Sequence, residues 1–367
     1  MNNHKHKIVT CVFAFFLCIV SVVCWFKPDD AFSESERREL TKMPELSVET
    51  VASGEFMNSF EEYTTDQFPA RDMLRGVKAL FSKYVFNKLD NNGLYYSYGH
   101  LSKLEYPVNP DMVNNAKKRF DYLYNTYMKD KNVNIYLSLI PDKNYYLSQK
   151  NGYISIDYKA FMDDFKSMMD YMKYIDISDK LSLDDYYRTD SHWKQEEIVD
   201  VAKYIAENMG TPIIEDYDVK KLDGPFKGVY LGQSALNVEP DEIKYLTNEN
   251  LLNCKVNYFD TGMPKAGEIY NMEKANGKDP YEMFLSGTSP LIEIENPDSL
   301  TDKELVIFRD SYGSSISPLF CSGYKKVTIV DIRYIQSAFL GNFVKFDNQD
   351  VLFLYSTTII NNSMSLR

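Results

Sequence analysis

Histidine and tryptophan are scarce in this chain. Its 367 residues hold four histidines, His4, His6, His100 and His192, and two tryptophans, Trp25 and Trp193. His4 and His6 precede a long apolar run and His100 lies in a Gly/Tyr-rich loop, so imidazole chemistry in the folded part falls to His192. Cysteine is as sparse: of five, Cys11, Cys18 and Cys24 lie inside the apolar run, and Cys254 and Cys321 alone make no disulfide framework. Stability must then come from a hydrophobic core, which about 340 residues outside that run are enough to bury. Positive charge is short as well, with 53 acidic against 41 basic residues and a net charge of −12. That balance disfavours nucleic acid and anionic lipid as partners and leaves a neutral or cationic glycan unopposed. No internal repeat or low-complexity tract is visible.

Residues 8–26 carry no charge, long enough to cross a hydrocarbon core of about 30 Å as a helix. Lys5 and Lys7 precede the run and Asp29 and Asp30 follow it, so the positive-inside rule assigns 1–7 as a cytoplasmic tail, 8–26 as a single-pass signal-anchor, and the remainder as extracytoplasmic at the cell membrane. A cleaved signal peptide is the alternative; the run is long for one, and no small-x-small cleavage pattern follows. Ser21-Val22-Val23-Cys24 matches a lipoprotein box poorly.

Beyond the run, 27–108 is polar and helix-prone and reads as a stalk and lead-in, with Ser33-x-x-Glu36 as a capping box and a helix over 55–65. From 109 the pattern alternates: helix 112–129, strand 133–140, helix 158–174, the Asp190/His192 turn opening a helix to 209, then strands 305–308, 327–330 and 351–355 with a helix over 312–322. Alternation of this kind predicts an α/β fold, a parallel sheet flanked by helices, over 109–367. The segment 210–296, richer in Gly, Pro and Asn, reads as an irregular insertion holding a subdomain or hairpins over the site.

Two short segments carry chemistry. Thr189-Asp190-Ser191-His192-Trp193 supplies a carboxylate and an imidazole two residues apart, and Arg309-Asp310-Ser311-Tyr312-Gly313 sets a serine where a buried strand turns into a helix. Together they hold the parts of a Ser-His-Asp nucleophilic site, with backbone N–H groups of the turn available to an oxyanion. Each part has a plainer reading: Asp310, Ser311 or Asp190 as helix caps, His192 as a polar structural residue, Trp193 as core. A zinc site lacks a third ligand cluster, so no metal and no cofactor are expected. Tyr95, Tyr96, Tyr98, Tyr186 and Tyr187 are either sugar-stacking rings or ordinary core and surface tyrosines.

The order Thr-Asp-Ser-His-Trp, then Arg-Asp-Ser-Tyr-Gly over a hundred residues later, resembles the DHHW proteins and the related alginate O-acetyltransferase family, whose cores are SGNH-hydrolase-like. The segments 66–72 (DQFPARD), 240–243 (PDEI), 284–291 (FLSGTSPL) and 331–334 (DIRY) extend the resemblance through most of the ectodomain. It implies the permuted motif order of that family, with Asp-x-His before the serine. It implies Ser311 as nucleophile, His192 as general base and Asp190 as its orienter. Gly287 and Thr288 occupy its oxyanion segment, and Arg309 stands in place of the glycine of Gly-Asp-Ser, where its guanidinium could pair with a carboxylate. Arg333 and Tyr334 follow a predicted strand and either line the site or pair with a carboxylate. Ser191 replaces the second letter of DHHW, a position that carries no chemistry. The implied activity is serine-dependent O-acetylation of a cell-surface or secreted polysaccharide, with a membrane-bound O-acyltransferase partner supplying the acyl group. A carbohydrate acetyl esterase uses the same residues, and a non-catalytic scaffold that binds polysaccharide or organises a secretion complex is the reading from a different class.

Overall fold

A computed structural model describes residues 2–367, with side chains from residue 5 onward. The chain separates into two compact units, residues 1–92 with 231–238, and residues 93–230 with 239–367.

The first unit opens with the helix Asn2–Phe26. Among the described residues, Lys5–Phe26 is the one helix long and apolar enough by composition to cross a membrane. Its polar side chains are turned back on its own backbone: Thr10 Oγ1 donates to the His6 carbonyl and Ser21 Oγ to that of Leu17. Helices Val48–Ala52, Glu55–Asp66 and Arg71–Leu80 come next. Asp66 is the organising group here, accepting both Arg38 Nη groups as well as the Thr41 N–H and hydroxyl. Hydrogen bonds from Arg38 above all hold its carboxyl well below the usual carboxylate range. The expected capping box at Ser33 forms in part, since the Glu36 N–H donates to Ser33 Oγ. It opens a turn between the two-residue strands Phe32–Ser33 and Arg38–Glu39 and not a helix, because the Glu36 carboxylate is drawn to Arg71 and Arg75.

The second unit is built on one sheet. Its strands are β1 (Asn134–Ile140), β2 (Lys173–Tyr174), β3 (Lys255–Tyr258), β4 (Lys265–Gly267), β5 (Leu291–Glu295), β6 (Glu304–Arg309), β7 (Lys326–Val330) and β8 (Asp350–Ser356), in the order β4-β3-β5-β7-β6-β8-β1-β2. The five from β7 to β2 are parallel, and β5, β3 and β4 extend that edge antiparallel. The segment 210–296, expected to hold a subdomain or hairpins over the site, thus gives three strands to the sheet and forms besides them the antiparallel pair Asp218–Lys221/Lys244–Thr247. The hairpin Leu94–Ser97/His100–Lys103, read as lead-in, belongs to this unit: the Leu101 N–H donates to the Arg188 carbonyl.

Both faces of the parallel strands are covered, which is why they read as unbroken apolar runs rather than alternations. Leu305, Ile307, Leu352 and Leu354 pack on one face with Trp193, Tyr187 and Ile205. Val306, Phe308, Val351 and Phe353 pack on the other with Phe120 and Phe165. Phe308 and Phe353 stack at 4.6 Å, and each buried ring of this kind is worth about 2 kcal/mol. The helix expected over 112–129 runs Pro110–Leu123 and widens into a single π-turn, Tyr124–Met128. That expected over 158–174 stops at Met168, and its tail becomes β2. After Ser311 only Gly313–Ile316 is α-helical, since Pro318 turns the continuation into the 3-10 segment Ser317–Phe320.

Candidate active site

Strand β6 lies between β7 and β8, and its chain leaves toward β7, so a crevice opens at the carboxyl ends of β6 and β8. Asp310 and Ser311 emerge there. The Asp310 carboxylate accepts the Tyr312 N–H at 3.0 Å and the Ser356 N–H, at the end of β8, at 2.8 Å. It is a staple across two strand ends, and Ser311, held by it, projects its hydroxyl outward. Arg309, in the position of the expected glycine, turns back into the protein and is fully buried. Its guanidinium lies 3.3 Å from Asp331 and donates to the carbonyls of Gly287 and Asp310. The close approach needed at this turn is met instead by Gly313, where a Cβ would overlap the Arg309 side chain.

The other half of the site is a narrow loop. Tyr186 bridges Trp193 and the Tyr187 N–H donates to the His192 carbonyl, so residues 188–191 form its tip. Asp241 holds that tip by accepting the Arg188 N–H, the Thr189 N–H and the Thr189 hydroxyl at 2.8, 2.7 and 2.5 Å. Asp190 is buried, with Oδ2 accepting the Val229 N–H at 2.8 Å and Oδ1 accepting the His192 N–H at 3.2 Å. The neighbouring Gly228 admits no side chain, because a Cβ would overlap the Thr189 carbonyl.

These two halves meet in one hydrogen-bonded line. Asp190 Oδ1 lies 2.6 Å from His192 Nδ1, and His192 Nε2 lies 2.8 Å from Ser311 Oγ. With the carboxylate ionised, Nδ1 carries the ring proton and Nε2 is left to accept from the serine hydroxyl. The His192 side chain is 13% exposed and that of Asp190 1% exposed, so solvent reaches the imidazole but hardly its orienting acid. A latch of side chains fixes the spacing. Trp193 Nε1 donates to the Tyr312 carbonyl and to Ser315 Oγ, Gln195 Nε2 donates to the Ser315 carbonyl, and the Tyr312 hydroxyl donates to the Ser191 carbonyl. Tyr281 stacks on the His192 ring at 3.9 Å and 9°, with its hydroxyl on Ser315 Oγ.

The secondary positions fall elsewhere. Gly287 lies in a left-handed run with Leu285 and Ser286, its carbonyl accepts Arg309, and its N–H is already bonded to the Phe284 carbonyl. It therefore serves the arginine and has no N–H left over for an oxyanion. Thr288 lines a cavity of about 500 Å³ with Tyr258, Asp260, Lys265 and Asn271. Arg333 chelates Asp331 through Nε and Nη2, and these bonds outweigh burial and hold its pKa above the usual guanidinium value. Tyr334 is exposed, its ring under the Arg333 guanidinium at 5.4 Å. Arg309, Asp331 and Arg333 are thus a buried ion cluster beneath the strand ends. Among the described residues no group of three His, Cys, Asp or Glu is placed to hold a metal ion.

Asp241, Gly228, Gln195, Tyr281 and Lys143 were not assigned site roles from sequence. Lys143 is fully buried, donates to the Tyr187 carbonyl at 2.9 Å and lies over the Tyr230 ring. Burial pushes its pKa down to about 7 against the pull of Asp190, Asp241 and Asp142. Asp241 sits inside a segment that carried the resemblance, and that was its only signal; the others had none.

No family model matches the sequence, and no curated protein matches it. Solved structures do. A DHHW family protein from Eubacterium siraeum superposes with a TM-score of 0.60 at 20% identity, covering 75% of this chain and 95% of its own. PatB1 of Bacillus cereus superposes with a TM-score of 0.58 at 19% identity, covering 73% and 96%, and the same protein with a sulfonyl adduct gives 0.58 at 20%, covering 73% and 95%. What these likenesses establish is the fold: the chain shares the α/β architecture of a DHHW family protein and of PatB1.

Proposed function

We propose that the chain is a serine-dependent O-acyltransferase acting outside the membrane on a polysaccharide, the activity implied by its resemblance to the DHHW and alginate O-acetyltransferase proteins. The observation that carries this reading is the line Asp190–His192–Ser311, at 2.6 and 2.8 Å. A scaffold has no need of that spacing.

In the first half-reaction His192 Nε2 takes the Ser311 proton as Oγ bonds to the acyl carbon of a donor. The tetrahedral oxyanion is met by the Ser311 N–H, and collapse expels the donor's leaving group, which takes the proton back from His192. In the second, a sugar hydroxyl gives its proton to Nε2 and bonds to the acyl carbon, and the Ser311 Cβ–Oγ group leaves as the alkoxide and recovers that proton. Asp190 keeps the imidazole in the productive tautomer in both halves. The donor side would be a membrane-bound O-acyltransferase, and the helix over residues 5–26, held as an anchor, would keep Ser311 near it at high effective concentration.

Intact-mass spectrometry after incubation with an activated acetyl ester tests the reading, with Ser311→Ala alongside. Expected is one acetyl on Ser311, discharged faster by an oligosaccharide that gains it. Discharge by water alone makes the protein an esterase, and a folded chain with no Ser311-dependent adduct makes it a scaffold.

A further inference from the structure

The helix Arg71–Leu80 and the π-turn Phe81–Val85 in the first unit are inside out. At about 100° per residue, Met73, Leu74, Val77, Leu80 and Phe81 share one arc of roughly 120°, and Tyr84 and Val85 continue it. That arc points to solvent: these seven side chains, with Phe86 and Leu89 just beyond, are between 43% and 70% exposed. The opposite side is the buried one, carrying Ala79 and Ser82, with the Arg75 guanidinium donating to the carbonyls of Gly232 and Gln233. Isolated exposed apolar residues need no explanation, whereas nine in one contiguous stretch mark a surface built to be covered.

Charge says what covers it. Between Asp72 and Asp90 the sequence has no acidic residue; Arg75 is turned to the buried side onto Glu36 and Asp72, and the other cations of the stretch are Lys78, Lys83 and Lys88, in a chain whose net charge is −12. The acidic balance of the whole disfavours an anionic lipid surface, but the local distribution here is the reverse. Position agrees. The Asp30 N–H donates to Gln67 Oε1 and Gln67 Nε2 donates back to the Asp30 carbonyl, while the Tyr63 hydroxyl donates to Asp29. Asp30 is four residues beyond the apolar helix and Gln67 four before Arg71, each link at most about 14 Å of chain. The apolar arc is therefore leashed to the membrane end of the anchor.

We propose that residues 73–89 form an interfacial helix that lies on an anionic lipid surface, its phenylalanine, leucine and valine side chains in the acyl boundary and its lysines among the headgroups. This rests on the reading of residues 5–26 as a retained membrane helix and is independent of the catalytic proposal. Two contacts would then hold the first unit to the bilayer, fixing its height and tilt where a single helix would leave it free to swivel.

The test uses the full chain in nanodiscs of phosphatidylcholine and phosphatidylglycerol with brominated acyl chains, which quench tryptophan at the membrane boundary. Over the constant background of the buried Trp193, Trp25 of the unmodified chain reports the anchor, and Tyr84→Trp in a Trp25→Phe background reports the helix. Quenching of both, with the signal at position 84 lost on Lys78→Glu/Lys83→Glu/Lys88→Glu or when phosphatidylglycerol is omitted, is the expected result. Quenching of Trp25 with an unquenched, acrylamide-accessible tryptophan at 84 overturns the docking and keeps the anchor. A tryptophan at 84 shielded from acrylamide yet unquenched by bromine overturns it in favour of a protein contact, and no quenching of either overturns anchor and docking together.

Discussion

The dipeptide Asp-Ser occurs at both ends of the hydrogen-bonded line, as Asp190-Ser191 and Asp310-Ser311, and the two copies make opposite contacts. In the loop the acid faces the imidazole while Ser191 Oγ stays 3.5 Å from both Asp190 and His192. At the strand end the acid is spent on backbone N–H groups of Tyr312 and Ser356, and the serine faces His192. Identical residues therefore take their roles from what lies across the crevice rather than from their covalent neighbours. A carboxylate that accepts two N–H groups locks a turn, and one that accepts an imidazole N–H as well sets a tautomer.

Exchanging the copies should break that symmetry most visibly at the serines. Ser311→Ala is expected to lower acyl-transfer turnover on the order of 10⁴-fold or more, and Ser191→Ala by no more than a few fold, in the same ester assay. The acids divide next. Asp190→Asn should cost about 10⁴-fold in turnover by presenting the wrong tautomer while the melting temperature stays near the parent's. Asp310→Asn should instead register mainly in denaturant unfolding, by about 1.5–3 kcal/mol, the worth of charge-assisted bonds at a buried staple. Gly228→Ala, whose methyl would press on the Thr189 carbonyl and the Asp190 Cβ and so displace the loop tip, should lower turnover on the order of 10²-fold with the three site residues still present; parent-like rates would mean that the loop relaxes freely.

A last effect, read in stability and not in turnover, concerns the buried amine behind the loop. Unfolded, Lys143 keeps its proton to about pH 10.4, whereas folded it releases it above about 7. Between those values the unfolded state binds more protons, so this residue makes stability rise with pH across that window, and its cost is fully present below 7. Urea unfolding at a series of pH values should show the parent gaining on Lys143→Met from neutral to alkaline pH. A constant gap would mean that the ammonium stays charged at its carbonyl partners.

Much of the fold was legible because buried parallel strands leave unbroken apolar runs: 305–308, 327–330 and 351–355 were each found within one residue of their observed ends. Their neighbours were harder. The short β2 was hidden in a helical pattern, and β3 to β5 were hidden in a Gly- and Asn-rich segment, since these short strands at the antiparallel end of the sheet are partly exposed and carry a weaker signal. Of the site, His192 and Ser311 were legible by elimination and by placement after a strand. Tyr281 was not, because stacking on His192 is a contact across 89 positions of sequence and nothing near a tyrosine in the chain announces it. Arg309 was noticed as a departure, but that Gly313 gives up its side-chain space to it follows only from their packing.

By itself the sequence determined what depends on local order: the charge-free run, the apolar strands and the succession of a carboxylate-imidazole pair and a strand-end serine. Only the tertiary structure decided that Asp190, His192 and Ser311 meet in one hydrogen-bonded line, that Gly287 serves Arg309 through its carbonyl, and that the apolar side of the helix at 71–85 faces outward. Periodicity states that a helix has two faces, but which face is buried depends on what packs against it, and hydrogen-bond geometry between residues 119 positions apart exists only once the sheet has brought them to one edge.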